Sequence, residues 1–113
     1  NEVYVDRPDG KGRYRLDSYD PALGEIVSRK NTQLGEIKPE TALNYLRELV
    51  KKYSPGTRIS DVPSNRASGL AGQELQGRMI LEVPRQETPV PSSICDEAKC
   101  RGVTIRDIEG TEH

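Results

Sequence analysis

Between residues 13 and 33 the chain gathers the side chains best suited to chemistry: Asp17, Glu25, Ser28, Arg29, Lys30, Asn31, Thr32 and Gln33. A hairpin that delivers an acid on its first strand and a lysine on its second can build a metal-dependent hydrolytic site. A carboxylate holds Mg2+ through hard oxygen contacts, and Mg2+ keeps several waters, one of which can attack phosphorus. The lysine positions or deprotonates that water and offsets the charge on pentavalent phosphorus. The competing reading of the same residues is a solvated sheet edge, its charges guarding against edge-to-edge pairing.

Composition narrows the alternatives. The only histidine is His113, so mechanisms built on a central imidazole are set aside: Ser-His-Asp and Cys-His hydrolases, histidine ribonucleases and histidine zinc sites. Ser18 and Ser28 have no base beside them apart from a Ser–Lys pairing. Gly69-Leu70-Ala71-Gly72 lacks the downstream Lys-Ser/Thr of a phosphate loop. If residues 92–101 are helical, Cys95 and Cys100, five apart, stand about 8 Å apart on different faces, too far for a disulfide; a bridge requires that the segment be a loop. Five Tyr supply all the aromatic side chains, with no Trp or Phe, which is few for a base-stacking reader. The formal net charge is −1; residues 1–60 carry 11 Lys/Arg against 9 Asp/Glu, and residues 61–113 carry 6 against 9. That asymmetry is mild, and no apolar run approaches the roughly 20 residues of a membrane span.

The 113 residues fit one domain around one core. Residues 1–12 are polar and turn-rich and read as a flexible lead-in. Residues 13–19 alternate polar and apolar, 20–24 make a turn at Pro21 and Gly24, and 25–30 return, which predicts a β-hairpin. Residues 39–53 predict the main helix: Pro39 suits its first turn, Lys51 and Lys52 its last, and Leu43, Leu46, Leu49, Val50 and Tyr53 keep a 3.6-residue period. Residues 57–59 could add a short strand, and 60–76 read as a long loop. A buried strand over 79–83, a short helix near 92–101 and a last strand over 103–108 complete the chain. The expected fold class is α/β, with α+β as its variant: a small mixed sheet opened by the hairpin, two helices packed on it, and a crossover joining the last two strands.

The stretch Arg13-Tyr14-Arg15-Leu16-Asp17-Ser18-Tyr19, a turn, then Glu25-Ile26-Val27-Ser28-Arg29-Lys30-Asn31-Thr32-Gln33 resembles C-terminal toxin domains of bacterial polymorphic and contact-dependent systems. Within them it looks like the restriction-endonuclease-fold, PD-(D/E)xK-like group. The resemblance implies Asp17 as the metal acid, Lys30 as the catalytic lysine, Gln33 as the trailing polar residue, and Mg2+ or Mn2+ as cofactor. The family places an acid two residues before its lysine, where this chain has Ser28. Glu25 would then be the second metal ligand, with Glu36 and Glu82 as alternatives. Simple alternation puts Glu25 and Lys30 on opposite faces unless a bulge intervenes. Arg13, Arg15, Ser28 and Arg29 would form the substrate rim.

The resemblance also implies a function: a metal-dependent nuclease cutting DNA or RNA, carried at the end of a secreted or cell-surface-delivered effector. Such a domain acts in the target cell's cytoplasm and is neutralised by a cognate immunity protein. The alternative from another class is a non-catalytic interaction module, an immunity or adaptor domain, whose acidic second half docks on a basic partner.

Overall fold

The structure, a computed structural model, describes residues 2–113. Its elements in chain order are β1 (Val3–Asp6), β2 (Arg13–Leu16), β3 (Ser18–Asp20), β4 (Glu25–Arg29), α1 (Pro39–Tyr53), α2 (Pro63–Ala67), β5 (Arg78–Val83), α3 (Ser92–Cys100) and β6 (Val103–Asp107). They form a mixed α/β globule with two sheets. β1 and β2 make an antiparallel ribbon. The main sheet runs β3-β4-β5-β6, with β3 antiparallel to β4 and the other two pairings parallel.

The expected hairpin is divided. Residues 13–19 do not run as one strand: Leu16 and Tyr19 are both buried, and positions three apart cannot share one face of a period-two strand. A bend at Asp17 resolves the conflict. β2 pairs backwards with β1, while β3 turns into the main sheet and pairs with β4. The turn at 20–24 is as expected: the Asp20 carboxylate accepts the amides of Ala22 and Leu23, and Gly24 takes a left-handed φ of 67°.

Residues 1–12 are likewise not a flexible lead-in over their described part. Val3 and Val5 are core side chains, and Arg7 to Gly12 is a tight turn closed by hydrogen bonds between those two residues and from Gly10 to Arg7. Residues 57–59 contribute isolated bridges, Val5 to Ile59 and Arg58 to Glu74, rather than a strand. Within 60–76 lies a third helix, α2. Its Asn65, buried, donates to the carbonyls of Tyr4 and Ser60, tying the segment to β1.

Helices α1 and α3 pack on each other and on the main sheet. Ala42, Leu46, Leu49 and Tyr53 of α1, with Ile94 and Ala98 of α3, meet Ile26, Met79, Leu81, Val83, Val103 and Ile105 in one core. The other sheet face carries Glu25, Val27 and Arg29 on β4, Ile80 and Glu82 on β5, and Arg106 on β6. There Arg106 pairs with Glu25 at 2.8 Å and with Glu82 at 3.8 Å, and Arg29 pairs with Glu82 at 2.8 Å. Val27 and Ile80 are buried between these charged side chains.

Candidate functional site

The bend that divides the hairpin also places Asp17. Antiparallel pairing of Ser18 with Val27 sets Asp17 opposite Ser28, and its Oδ2 accepts the Arg29 backbone amide at 2.7 Å. By alternation Ser28 shares the helix-bearing side of the sheet with Ile26, while Asp17, at the bend, lies against β4 through that amide. Ser28 is buried there. Lys30, one residue past β4, is anchored by its own amide to the Glu82 carbonyl. Its Nζ lies 3.1 Å from Oε1 of Glu48 on α1 and 5.1 Å from the Tyr45 ring centre.

Glu48 is the functional candidate that sequence reasoning missed. Its second oxygen meets Lys52 Nζ at 3.4 Å. Burial pushes the Glu48 carboxyl up, but the hydrogen bonds and charges of Lys30 and Lys52 outweigh it and hold the group below the ordinary carboxylate value. Beside it stands Tyr53, whose hydroxyl donates to the Arg15 carbonyl at 2.8 Å. Burial, reinforced by the negative charges of Glu48 and then Asp17, pushes this phenol up to about 12. Tyr53 thus registers both carboxylates at once. Tyr14 packs edge-on against it, ring centres 6.4 Å apart, and Lys52 Nζ lies 4.6 Å from the Tyr14 centre.

The other expected site residues fall elsewhere. Glu25 lies at the start of β4 on the opposite face, bonded to Arg106 at 2.8 and 3.3 Å and paired with Arg78 at 3.5 Å. The Arg106 hydrogen bonds, acting against burial, keep its carboxyl below the ordinary range. No bulge brings it round: β4 keeps an unbroken parallel register with β5 from Glu25 to Arg29. Glu82 is on that same face with Arg29. Gln33 spends both ends of its amide on backbone, donating to the Arg85 carbonyl at 2.9 Å and accepting the Glu87 amide at 2.8 Å. It therefore staples the loop after β4 to the loop after β5. Arg15 pairs with Glu2 at 2.8 Å, and Arg13 is exposed on the β1–β2 ribbon.

The structure therefore pairs a strand-end lysine with a helix acid near the C-terminal end of α1, with Asp17 at the bend before β3. Mg2+ suits a site with one or two carboxylates because it retains much of its water shell; Asp17 and Glu48 are such a pair of hard-oxygen donors. Among the described residues no group of three or more His, Cys, Asp or Glu gathers as a cage. Cys95 and Cys100 are free thiols. No helix is long and apolar enough to cross a membrane. No match to the chain was found among family models, curated proteins or solved structures.

Proposed function

We propose that the protein is a metal-dependent nuclease with a PD-(D/E)xK-like site, in which Glu48 replaces Glu25 as the second carboxylate. The observation that carries this reading is the 3.1 Å approach of Lys30 Nζ to Glu48, with Glu48 and Asp17 both near enough to Tyr53 to help raise its phenol. Asp17 and Glu48 would hold Mg2+ or Mn2+, which when bound supplies a water of lowered pKa and offsets phosphate charge. Lys30 holds the attacking water or meets the charge developing on phosphorus. Lys52 keeps Glu48 ionised once Lys30 turns to substrate, and Tyr45 and Tyr14 give the two ammonium groups aromatic faces to rest on. Gln33 acts at a distance by fixing the loop that follows Lys30.

The resemblance of residues 13–33 to polymorphic toxin domains supports the wider reading. On it, the domain is the toxic end of a delivered effector, acts on nucleic acid in a target cell and is blocked by a cognate immunity protein. The alternative, a non-catalytic docking module, is favoured by one observation: the Arg–Glu ladder of Glu25, Arg29, Glu82 and Arg106 on the sheet face opposite the main core.

The deciding experiment incubates the domain with plasmid DNA and with total RNA, with and without Mg2+ or Mn2+. Asp17→Ala, Lys30→Ala and Glu48→Gln are each expected to lower cleavage by roughly 100-fold or more. Glu25→Gln should leave cleavage near wild type while costing about 1.5–3 kcal/mol of stability, since it weakens charged hydrogen bonds to Arg106. Loss of cleavage in Glu25→Gln with full activity in Glu48→Gln would reverse the assignment. No cleavage by folded wild-type protein with either metal would favour the docking module.

A further inference from the structure

At the C-terminal ends of the parallel strands lies a hollow of about 320 Å³. Pro84 and Ile108 form its apolar wall, with the buried Val83 behind them, and Arg29, Lys30, Asn31 and Glu82 its polar rim. Ile108, just past β6, is 69% exposed, one of two large apolar side chains left in solvent among the described residues. The other, Leu23, sits on the tip of the β3–β4 turn. Carboxyl ends of parallel strands are where open α/β sheets bind ligands.

Lys30 lines this hollow and its Nζ meets Glu48 of the proposed cleavage site at 3.1 Å, so the hollow and that site share one residue. We propose that the hollow is a nucleobase pocket that holds one unstacked base of the substrate beside the scissile phosphate. This deepens the nuclease reading and rests on it for the identity of the strand.

Three features fit a base rather than another occupant. The volume sits at the low end of the roughly 300–1,000 Å³ of ligand pockets, right for one planar heterocycle and small for a folded peptide. Pro84 and Ile108 offer an apolar surface against which a ring can lie, and the Arg29 guanidinium, held by Glu82 at 2.8 Å, offers a planar cation. Asn31, exposed at the rim, carries the paired donor and acceptor that match a base edge. An unstacked base is a property of single strands, loops and frayed ends, so the pocket selects those over intact duplex.

The test needs no cleavage. Methyl resonances of Ile108 and Val83 would be followed by NMR, without divalent metal, during titration with the four ribonucleoside 5′-monophosphates, their deoxy forms and ribose 5-phosphate. We expect at least one nucleotide to shift both methyls saturably while ribose 5-phosphate leaves them in place. Equal ribo and deoxy affinities assign recognition to the base alone, and a ribo preference adds a sugar contact; both support the pocket. Ile108→Asp should weaken binding at least tenfold and Asn31→Ala about threefold, with the melting temperature of each unchanged because both side chains are exposed. No methyl shift with any nucleotide, or the same shift with ribose 5-phosphate, overturns the proposal. Nucleotide binding by a protein that cuts neither DNA nor RNA supports the pocket and removes the nuclease reading.

Discussion

At the scale of residues, the decisive feature is that two carboxylates from distant parts of the chain act on one phenol. Tyr53 is held up to about 12 by burial, then by Glu48, then by Asp17, so its titration measures the charge at the candidate site without any need for activity. Its folded value lies above the ordinary 10.0, so the stability it contributes is complete below that pH and is lost as pH rises towards the folded value. Followed by tyrosinate absorbance, the latest of the titrating tyrosines should move to lower pH in Glu48→Gln and, by a smaller step, in Asp17→Asn. Saturating Mg2+ should move it the same way in the wild type, because a bound cation cancels the negative charge that both acids place beside the phenol. A late titration indifferent to both substitutions would mean that the two acids do not share this neighbourhood. Asp17 and Lys30 stand out in the sequence because strand alternation limits where they can point. Glu48 does not: on a helix with Glu40, Arg47, Lys51 and Lys52 it looks like one more solvated charge, and only the packing angle of α1 against the sheet tells it apart.

At the scale of elements, α1, β4, β5, α3 and β6 were legible, and β1 and α2 were not. Helix α1 occupies the predicted 39–53, since its apolar period, Pro39 and the Ser54-Pro55-Gly56 stop agree with one another. β1 and α2 escaped notice because each lies in a polar, turn-rich stretch and takes its stability from partners remote in sequence, such as Asn65 bonding to Tyr4. The division at Asp17 has a visible trace, the three-residue spacing of Leu16 and Tyr19, but it becomes meaningful only once both are known to be buried. α1 itself begins imperfectly. Lys38 is its N-cap, extended at φ −61° and ψ 137°, with no side-chain hydrogen bond to the first turn, and it puts a cation at the positive end of the helix dipole. Lys38→Asp supplies both a cap acceptor and a favourable charge, and should stabilise the fold by about 1 kcal/mol. That corresponds to a rise of roughly 4 °C in melting temperature for a chain of this size. No rise by calorimetry would mean that the first turn of α1 is held by its tertiary contacts alone.

At the scale of the whole molecule, most cations are paired internally, since among the described residues 12 of the 17 Lys and Arg side chains form ion pairs, and on the proposed reading this sets how the protein would hold nucleic acid. Formal net charge is −1, and at the candidate site Lys30 and Lys52 are matched by Asp17 and Glu48. Of the three expected rim cations, Arg15 is paired with Glu2 and Arg29 with Glu82, and the catalytic candidate Lys30 is paired with Glu48; among the described residues only Arg13 of these four forms no ion pair. A surface of this kind can displace few counterions, because a cation already bound to a carboxylate gains little from a phosphate. If about three cations engage phosphates, the logarithm of the binding constant should fall against the logarithm of salt with a slope of roughly −2 to −3. Between 50 and 200 mM salt that is a loss of roughly 15- to 60-fold, against the 10³- to 10⁵-fold of proteins with long phosphate tracks. Fluorescence anisotropy of a labelled single-stranded oligonucleotide on Lys30→Ala protein, without divalent metal, measures the slope less one contact, so roughly −1 to −2 there. A slope steeper than about −6 would require a phosphate-tracking surface that these ion pairs do not leave free. A shallow slope combined with measurable affinity would place the binding energy in uncharged contacts to the bases, which is the behaviour that the apolar hollow beside Lys30 calls for.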